Sequence, residues 1–324
     1  MDAIVALSRE RIENGSMSFF RAARLFPTDL RESAYLLYAW CRHCDDEIDG
    51  QILGHASPLP DGAGARNPRE EGPAPQEERL AVLREKTMAA LAGEARDPVF
   101  IGLQRVVKAH GICERYPLDL IEGMAMDVRG RTYACLDDTL NYAYHVAGVV
   151  GLMMAGIMGV RDRATLERAC DLGIAFQLTN IARDVVPDAV RGRVYLPADW
   201  LANERVPVSE TALARHRPAV FKTTERLLAV ADEYYVSAAG GVGRLPYRAA
   251  WAVAAARRVY WGIGSIIRER GEAAWDCRAS ASRASHLAAL AIASAEAAAL
   301  IAMNGRRRPK PRIGLWTPSH LWLN

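Results

Sequence analysis

The chain has a single Cys-x-x-Cys (Cys41 and Cys44), no Glu-x-x-His and no Gly-x-Gly-x-x-Gly. Each absence argues against a class of function. A structural zinc site wants four thiolate or imidazole ligands at fixed spacing, and no second pair exists. A di-iron helical bundle takes ligands from Glu-x-x-His pairs. A dinucleotide enzyme of the doubly wound kind would carry the glycine fingerprint, although reductases on other folds do without it. Aromatic residues are 7% of the chain and are not interleaved with basic ones, and the net charge is only +3, so no nucleic-acid partner is expected. Strand-like alternation bounded by turns is scarce. The N-terminus carries Arg9, Glu10, Arg11 and Glu13 where a signal peptide would carry an apolar run. Val146 to Val160 is the most apolar long stretch, but His145 and Arg161 close it short of the roughly 20 residues a spanning helix needs. It is expected to be a buried helix, with no membrane span. Cys41 and Cys44 fall in a helical run and read as a packed helix face in a reduced, cytoplasmic protein.

What the chain does have is helical periodicity. Apolar residues recur at helical spacing over Leu30 to Asp49, Gln76 to Leu91, Pro98 to His110, Leu136 to Val160, Thr165 to Asp184, Pro218 to Ala239, Arg248 to Arg270 and Ala284 to Met303. Thr139 to Val160 shows no break. With 324 residues, 50% of them hydrophobic, the chain can bury one large core or two ordinary ones. Residues 50–75 are dense in proline and glycine and read as a flexible surface loop, with a lid as the alternative. Residues 306–312 form a basic run inside a basic and apolar tail, 305–324. That tail is either an anionic-membrane contact or ordinary structure packed on the helices.

Two acidic clusters stand out. Asp45 and Asp49 are four residues apart in Asp45-Asp46-Glu47-Ile48-Asp49, and Asp184 and Asp188 are four apart after Arg183. On a helix each pair shares a face, where like charges repel by a few tenths of a kcal/mol. A cation would offset that cost. Mg2+ takes one or two carboxylates and completes its shell with phosphate and water. Two such faces suggest a diphosphate held through metal from two sides. The alternative is two solvated acidic helix ends. Gln177, Asn180, Asp184 and Asp188 form a polar stripe among Ile174, Phe176, Leu178 and Ile181, which is unusual for a core helix. Arginines in Arg191-Gly192-Arg193 either clamp phosphate oxygens or pair with the neighbouring acids.

A metal-held diphosphate is a leaving group, and an allylic diphosphate leaves a carbocation. That cation needs an apolar, water-free cavity and benefits from aromatic faces. Tyr142 and Tyr144 lie on an apolar helix, and Tyr38 lies one turn before Arg42.

Tyr38 to Asp49, Tyr142 to Gly148 and Gln177 to Asp184 resemble the squalene/phytoene synthase family, and the likeness runs through Gly123 to Asp127 and Trp251 to Tyr260. The resemblance implies one all-α isoprenoid-synthase domain over 1–324 with a central apolar cavity. It implies head-to-head condensation of two prenyl diphosphates, geranylgeranyl diphosphate foremost, with Mg2+ or Mn2+. A C15-using squalene or dehydrosqualene synthase and a non-catalytic assembly protein are the alternatives. The metal ligands it implies are Asp45, Asp49, Asn180, Asp184 and Asp188. Catalytic positions fall on these aspartates and on Tyr38, Arg42 and Tyr142. Substrate-contacting positions fall on Ser16, Ser18, Val146, Gln177, Asn180, Arg183, Arg193, Tyr195 and Tyr260. The insoluble product further suggests a peripheral contact with the inner face of the membrane. Pro187 departs from the family pattern, and a bend there would alter the reach of Asp188.

Shortening the 50–75 loop is expected to shift the thermal midpoint by no more than about two degrees, the small effect of a surface loop. A large drop in a melting curve would show that the segment packs.

Overall fold

The structure is a computed structural model and describes residues 2–52, 55–56, 73–280, 282–303 and 311–318. Among them every long element is a helix, and the only sheet pairs Gln51–Ile52 with His55–Ala56. The chain divides into two compact units, residues 1–129 with 153–160, and residues 130–152 with 161–324.

The first unit holds α1 (Ala3–Gly15), α2 (Met17–Ala23), α3 (Thr28–Asp49), α4 (Pro73–Leu91), α5 (Pro98–His110) and α6 (Arg115–Val128). Helix α3 buries Leu37, Trp40, Cys44 and Ile48 along one stripe, which leaves Arg42, Asp45 and Asp49 on the other side. Gly50 stops it at φ 60, with its N–H on the Asp46 carbonyl. Helix α5 begins and ends where its periodicity says. Asp97 caps it through the Val99 N–H at 3.0 Å, and Gly111 closes it at φ 57. All six cysteines are free, and Cys44 is fully buried, as a packed helix face requires.

In the second unit α7 (Leu136–Ala143) runs through a π-helical turn (Tyr144–Gly148) into α8 (Val149–Ile157), whose last residues belong to the first unit. There follow α9 (Arg163–Val190), α10 (Ala198–Asn203), α11 (Glu210–Arg215), α12 (Arg217–Val242), α13 (Tyr247–Arg270), a 3-10 turn (Gly271–Trp275) and α14 (Arg283–Met303). Helix α9 crosses the π-helical turn and α8 backbone to backbone. A Cβ on Gly173 would lie 2.2 Å from the Ala147 carbonyl oxygen, and one on Gly151 2.2 Å from that of Ala169.

Several expectations need correction. The run from 136 to 160 is not one unbroken helix, because the π-helical turn inserts a residue into the ladder. Helix α4 starts at Pro73, so the expected loop is shorter at its end, and residues 53–54 and 57–72 lie outside the described set. Helix α9 continues past Asp184 to Val190, with the distortion at Asp184 itself (φ −108, ψ 18). Pro187 explains it. Proline offers no N–H to the Arg183 carbonyl and its ring crowds that oxygen, so the turn before it yields. The periodic runs do not contain α1, α2, α6, α10 or α11; α1 is too evenly charged, and Pro117 and Gly123 interrupt α6. Among the described residues two helices are long and apolar enough to cross a membrane by length and composition. Leu136–Ile157 has mean hydropathy 1.3 and is 67% buried, and Ala284–Met303 has mean hydropathy 1.7 and is 11% buried. The second carries one acid, Glu296, which pairs with Arg257 and Arg258. Of the tail, residues 304–310 and 319–324 lie outside the described set, and Arg312 is engaged by Asp171 at 2.7 Å rather than solvated.

Gly173→Ala is expected to lower the unfolding free energy by about 3 kcal/mol, since backbone must move to admit the methyl group. Gly262→Ala, also in a helix but with nothing within 4 Å of its Cβ, is expected to leave stability unchanged or raise it by up to about 1 kcal/mol. Chemical denaturation of both proteins measures the contrast.

Candidate functional site

The two acidic faces lie one in each unit, and each is described by itself. On α3, Tyr38, Arg42, Asp45 and Asp49 follow one another at helical spacing. The Tyr38 hydroxyl reaches the end of α1 because residue 15 is glycine: a Cβ there would lie 2.6 Å from it. Arg42 lies over the Tyr38 ring, 5.9 Å from its centroid, and its guanidinium acts on the Tyr38 hydroxyl. Tyr38 Oη and Arg42 Nε are both buried, and neither completes a hydrogen bond of good geometry. Such poorly satisfied donors are costly in a fold and suit an anionic oxygen. Arg42 Nη1 is 3.7 Å from Asp45 Oδ2.

Burial pushes the Asp45 carboxyl up to about 7, and Asp49, Asp46 and Asp127 add to the rise against the pull of Arg42. Its side chain is still 44% exposed, so a cation from solvent can reach it. Asp127, from α6, is the acid in this group whose role the sequence left unassigned. Ser16 is half-buried and caps α2, its Oγ accepting the Phe19 N–H at 3.5 Å. Ser18 lies on α2, and its side chain is outside the described set.

On α9, Gln177, Asn180, Asp184 and Asp188 are all half-buried, as a polar stripe lining neither core nor open surface would be. Asn180 Nδ2 donates to Gln177 Oε1 at 3.4 Å, and Asn180 Oδ1 is buried with no partner. Arg183 donates to Asp184 from Nε at 3.0 and 3.1 Å and from Nη2 at 2.5 Å. Arg278 donates to the same carboxylate at 3.2 and 3.3 Å. Burial acts to raise the Asp184 carboxyl, but hydrogen bonds and charge from the two arginines prevail and hold it below the usual range. Sequence spacing could not reveal Arg278, which lies 94 residues from Asp184. The one local hint is Trp275 beside it, whose indole N–H pins the Ala182 carbonyl at 3.0 Å.

Arg191 Nη1 sits 4.0 Å from Asp188, a long ion pair with its neighbour. The Arg193 backbone N–H closes the turn onto the Asp188 carbonyl at 2.8 Å. Tyr142 and Tyr195 are buried and stacked at 4.6 Å, with Tyr133 edge-on to Tyr142 at 5.4 Å. Tyr260 stacks on Phe176 at 4.3 Å and is near enough to act on the charge of Arg183. Val146 is half-buried on the π-helical turn.

These donor sets fit the cation and the anion the sequence implies. Asp45 is short of positive charge, Asn180 Oδ1 lacks a donor, and every candidate ligand is a hard oxygen. Among the described residues no three His, Cys, Asp or Glu side chains close on one point, so a cation held here would take the rest of its shell from phosphate and water.

A family model described as squalene/phytoene synthase matches residues 12–286. The chain is 48% identical to a 15-cis-phytoene synthase of Pantoea ananas over 314 residues, covering 97% of this chain and 95% of the relative. It is 45% identical to one from a Paracoccus species over 324 residues, covering 99% of both. Among solved structures, a dehydrosqualene synthase crystallised with a ligand superposes with a TM-score of 0.78 at 24% identity, over 91% of this chain and 97% of that one.

The raised Asp45 carboxyl carries a sign. Its proton is held more tightly folded than unfolded, so its contribution to stability is full below about pH 4 and is lost as pH rises through about 7. In chelator, Asp45→Asn is expected to flatten that part of the profile of melting temperature against pH. A carboxyl NMR titration of the unaltered chain is expected to show a midpoint near 7 that moves down on adding Mg2+.

Proposed function

The chain belongs to the squalene/phytoene synthase family, and from that we propose that it is a prenyltransferase joining two geranylgeranyl diphosphates head to head to make phytoene. Identity of 48% to a 15-cis-phytoene synthase, over nearly the whole of both chains, carries this reading. The whole chain 1–324 serves as one functional isoprenoid-synthase body in this proposal.

In outline, loss of one diphosphate gives an allylic cation. The second substrate's double bond attacks it, and proton loss gives a cyclopropyl diphosphate. A second ionisation, rearrangement and proton loss give the hydrocarbon. Asp45 and Asp49, and Asn180, Asp184 and Asp188, would hold Mg2+, with Mn2+ as a substitute, which supplies Lewis-acid assistance to diphosphate departure. The chain's own groups do the rest. Tyr38 Oη and Arg42 Nε, buried and with no well-formed hydrogen bond of their own, donate to phosphate oxygens. Arg183 and Arg193 carry positive charge to the second face. Asp184 is already ionised by its arginine neighbours, so it meets a cation without first losing a proton. The stacked pair Tyr142 and Tyr195 and the ring of Tyr260 offer π faces to a developing cation, and Val146 keeps water away. Gln177 orients Asn180, and Ser16 and Ser18 complete the substrate contacts.

The test is purified protein with Mg2+ and either geranylgeranyl or farnesyl diphosphate, with products read by mass. The expected outcome is phytoene from the first substrate and little from the second. A C15-derived hydrocarbon as the main product would replace this reading with a squalene-type one. Asp45→Asn and Asp184→Asn are each expected to lower turnover by orders of magnitude with the helical circular dichroism unchanged, and full activity in EDTA would refute the metal role. Gly15→Ala, which drives a methyl group against Tyr38 Oη, is expected to lower kcat about tenfold or more.

A further inference from the structure

A fully buried carboxylate with no part in the proposed reaction holds segment 311–318 against the helices of its own unit. Asp171 on α9 is 0% exposed. Arg312 donates to both of its oxygens, from Nε at 2.8 Å and Nη2 at 2.7 Å. Ser237 on α12 adds its hydroxyl at 2.5 Å. Arg168 in turn donates to the Ser237 carbonyl at 2.7 Å and hydroxyl oxygen at 3.0 Å. Arg312 also closes its own segment, donating to Thr317 Oγ1 at 2.9 Å and the Trp316 carbonyl at 3.3 Å. Trp316 donates its N–H to Tyr234 Oη at 3.1 Å, and its indole lies 6.2 Å from the Tyr144 ring.

The segment thus touches α9, α12 and the π-helical turn at one place. Through Asp171 and Tyr144 that place adjoins the glycine crossing. A Cβ on Gly148 would meet Cys170, the neighbour of Asp171, at 3.0 Å and the Tyr144 ring at 3.2 Å. Tyr142 lies two residues before Tyr144, and Gln177 and Asn180 lie two turns or so beyond Asp171 on α9. A buried ion pair adds little net stability compared with an apolar replacement. A two-pronged guanidinium–carboxylate contact does, however, allow only one geometry.

We propose that Arg312 and Trp316 are positioning residues: the segment 311–318 is a strap that sets how α9 crosses the π-helical turn, and hence where Tyr142 stands relative to Gln177 and Asn180. The consequence for turnover rests on the phytoene-forming reading above. A cation whose tyrosine is misplaced is less well stabilised, so the chemical steps slow while diphosphate binding stays intact. The cyclopropyl diphosphate then has time to escape.

Full-length Arg312→Gln, Arg312→Lys and Trp316→Leu are compared with the unaltered chain at a temperature where circular dichroism shows each to be folded. Three quantities are read: kcat, KM for geranylgeranyl diphosphate, and the share of product released as the cyclopropyl diphosphate. Arg312→Gln is expected to lower kcat about tenfold or more, hold KM within about twofold and release the intermediate. Trp316→Leu, which keeps the ion pair, gives the same pattern more weakly, and Arg312→Lys recovers part of the loss. Folded variants that match the unaltered chain in kcat and in released intermediate overturn the proposal, whatever their melting temperatures. If Arg312→Gln does not fold, Trp316→Leu decides by the same readouts. Hydrogen exchange separates this proposal from the functional reading. In Trp316→Leu, amides of 144–148 and 170–177 should exchange faster while those of α13 do not change, and identical exchange overturns the strap even if the unaltered chain proves inactive on this substrate.

Discussion

The second unit depends on one contact, the bare backbone of α9 lying against the π-helical turn and α8. Gly151 and Gly173 leave 2.2 Å between a notional Cβ and a carbonyl oxygen, so no side chain can stand there. Two backbones this close cannot slide or rotate independently. Everything α9 carries toward the polar stripe is therefore spaced from that crossing, and so is the tyrosine stack on the other side of it. The π-helical turn serves the same end. One added residue in the ladder rotates α8 against α7 by about a quarter turn, so the two helices present different faces.

Further along α9, Pro187 works against helical regularity, and the cost falls on Asp184 (φ −108, ψ 18). Residues held off the helical minimum persist when their surroundings hold them. Here the surroundings are Arg183 and Arg278 on its carboxylate and Trp275 on the Ala182 carbonyl. The distortion lies at a residue whose side chain is fixed by charge from two directions.

The two acidic faces meet the same electrostatic problem in different ways. Carboxylates brought together in a poor solvent either take up protons or acquire cations. On α3 the nearest arginine is 3.7 Å away and three other aspartates press on Asp45, so its proton is held to about 7. On α9 two arginines stand against Asp184, and it stays ionised. The first face is thus left short of positive charge and the second is provided with it, a difference in readiness that identical Asp-x-x-x-Asp spacings conceal.

Eight helical runs were legible in the chain, one of them covering both α7 and α8, because an amphipathic helix writes its period into a contiguous run of residues. The same local rule placed Asp45 with Asp49 and Asp184 with Asp188, and three short motifs sufficed to point to the family. Pro187 announced a bend, since a missing N–H is a property of the residue itself. What the tertiary structure alone decided are matters of long-range pairing. Arg278 meets Asp184 across 94 residues, and Arg312 meets Asp171 across 141. Neither arginine is set apart by its sequence neighbourhood. The π-helical turn, the buried Tyr38 hydroxyl against Gly15 and the pairing of Glu296 with Arg257 and Arg258 were hidden for the same reason. Periodicity records which side of a helix is apolar, but the atom that faces a given side chain is set by packing with elements far away in the chain.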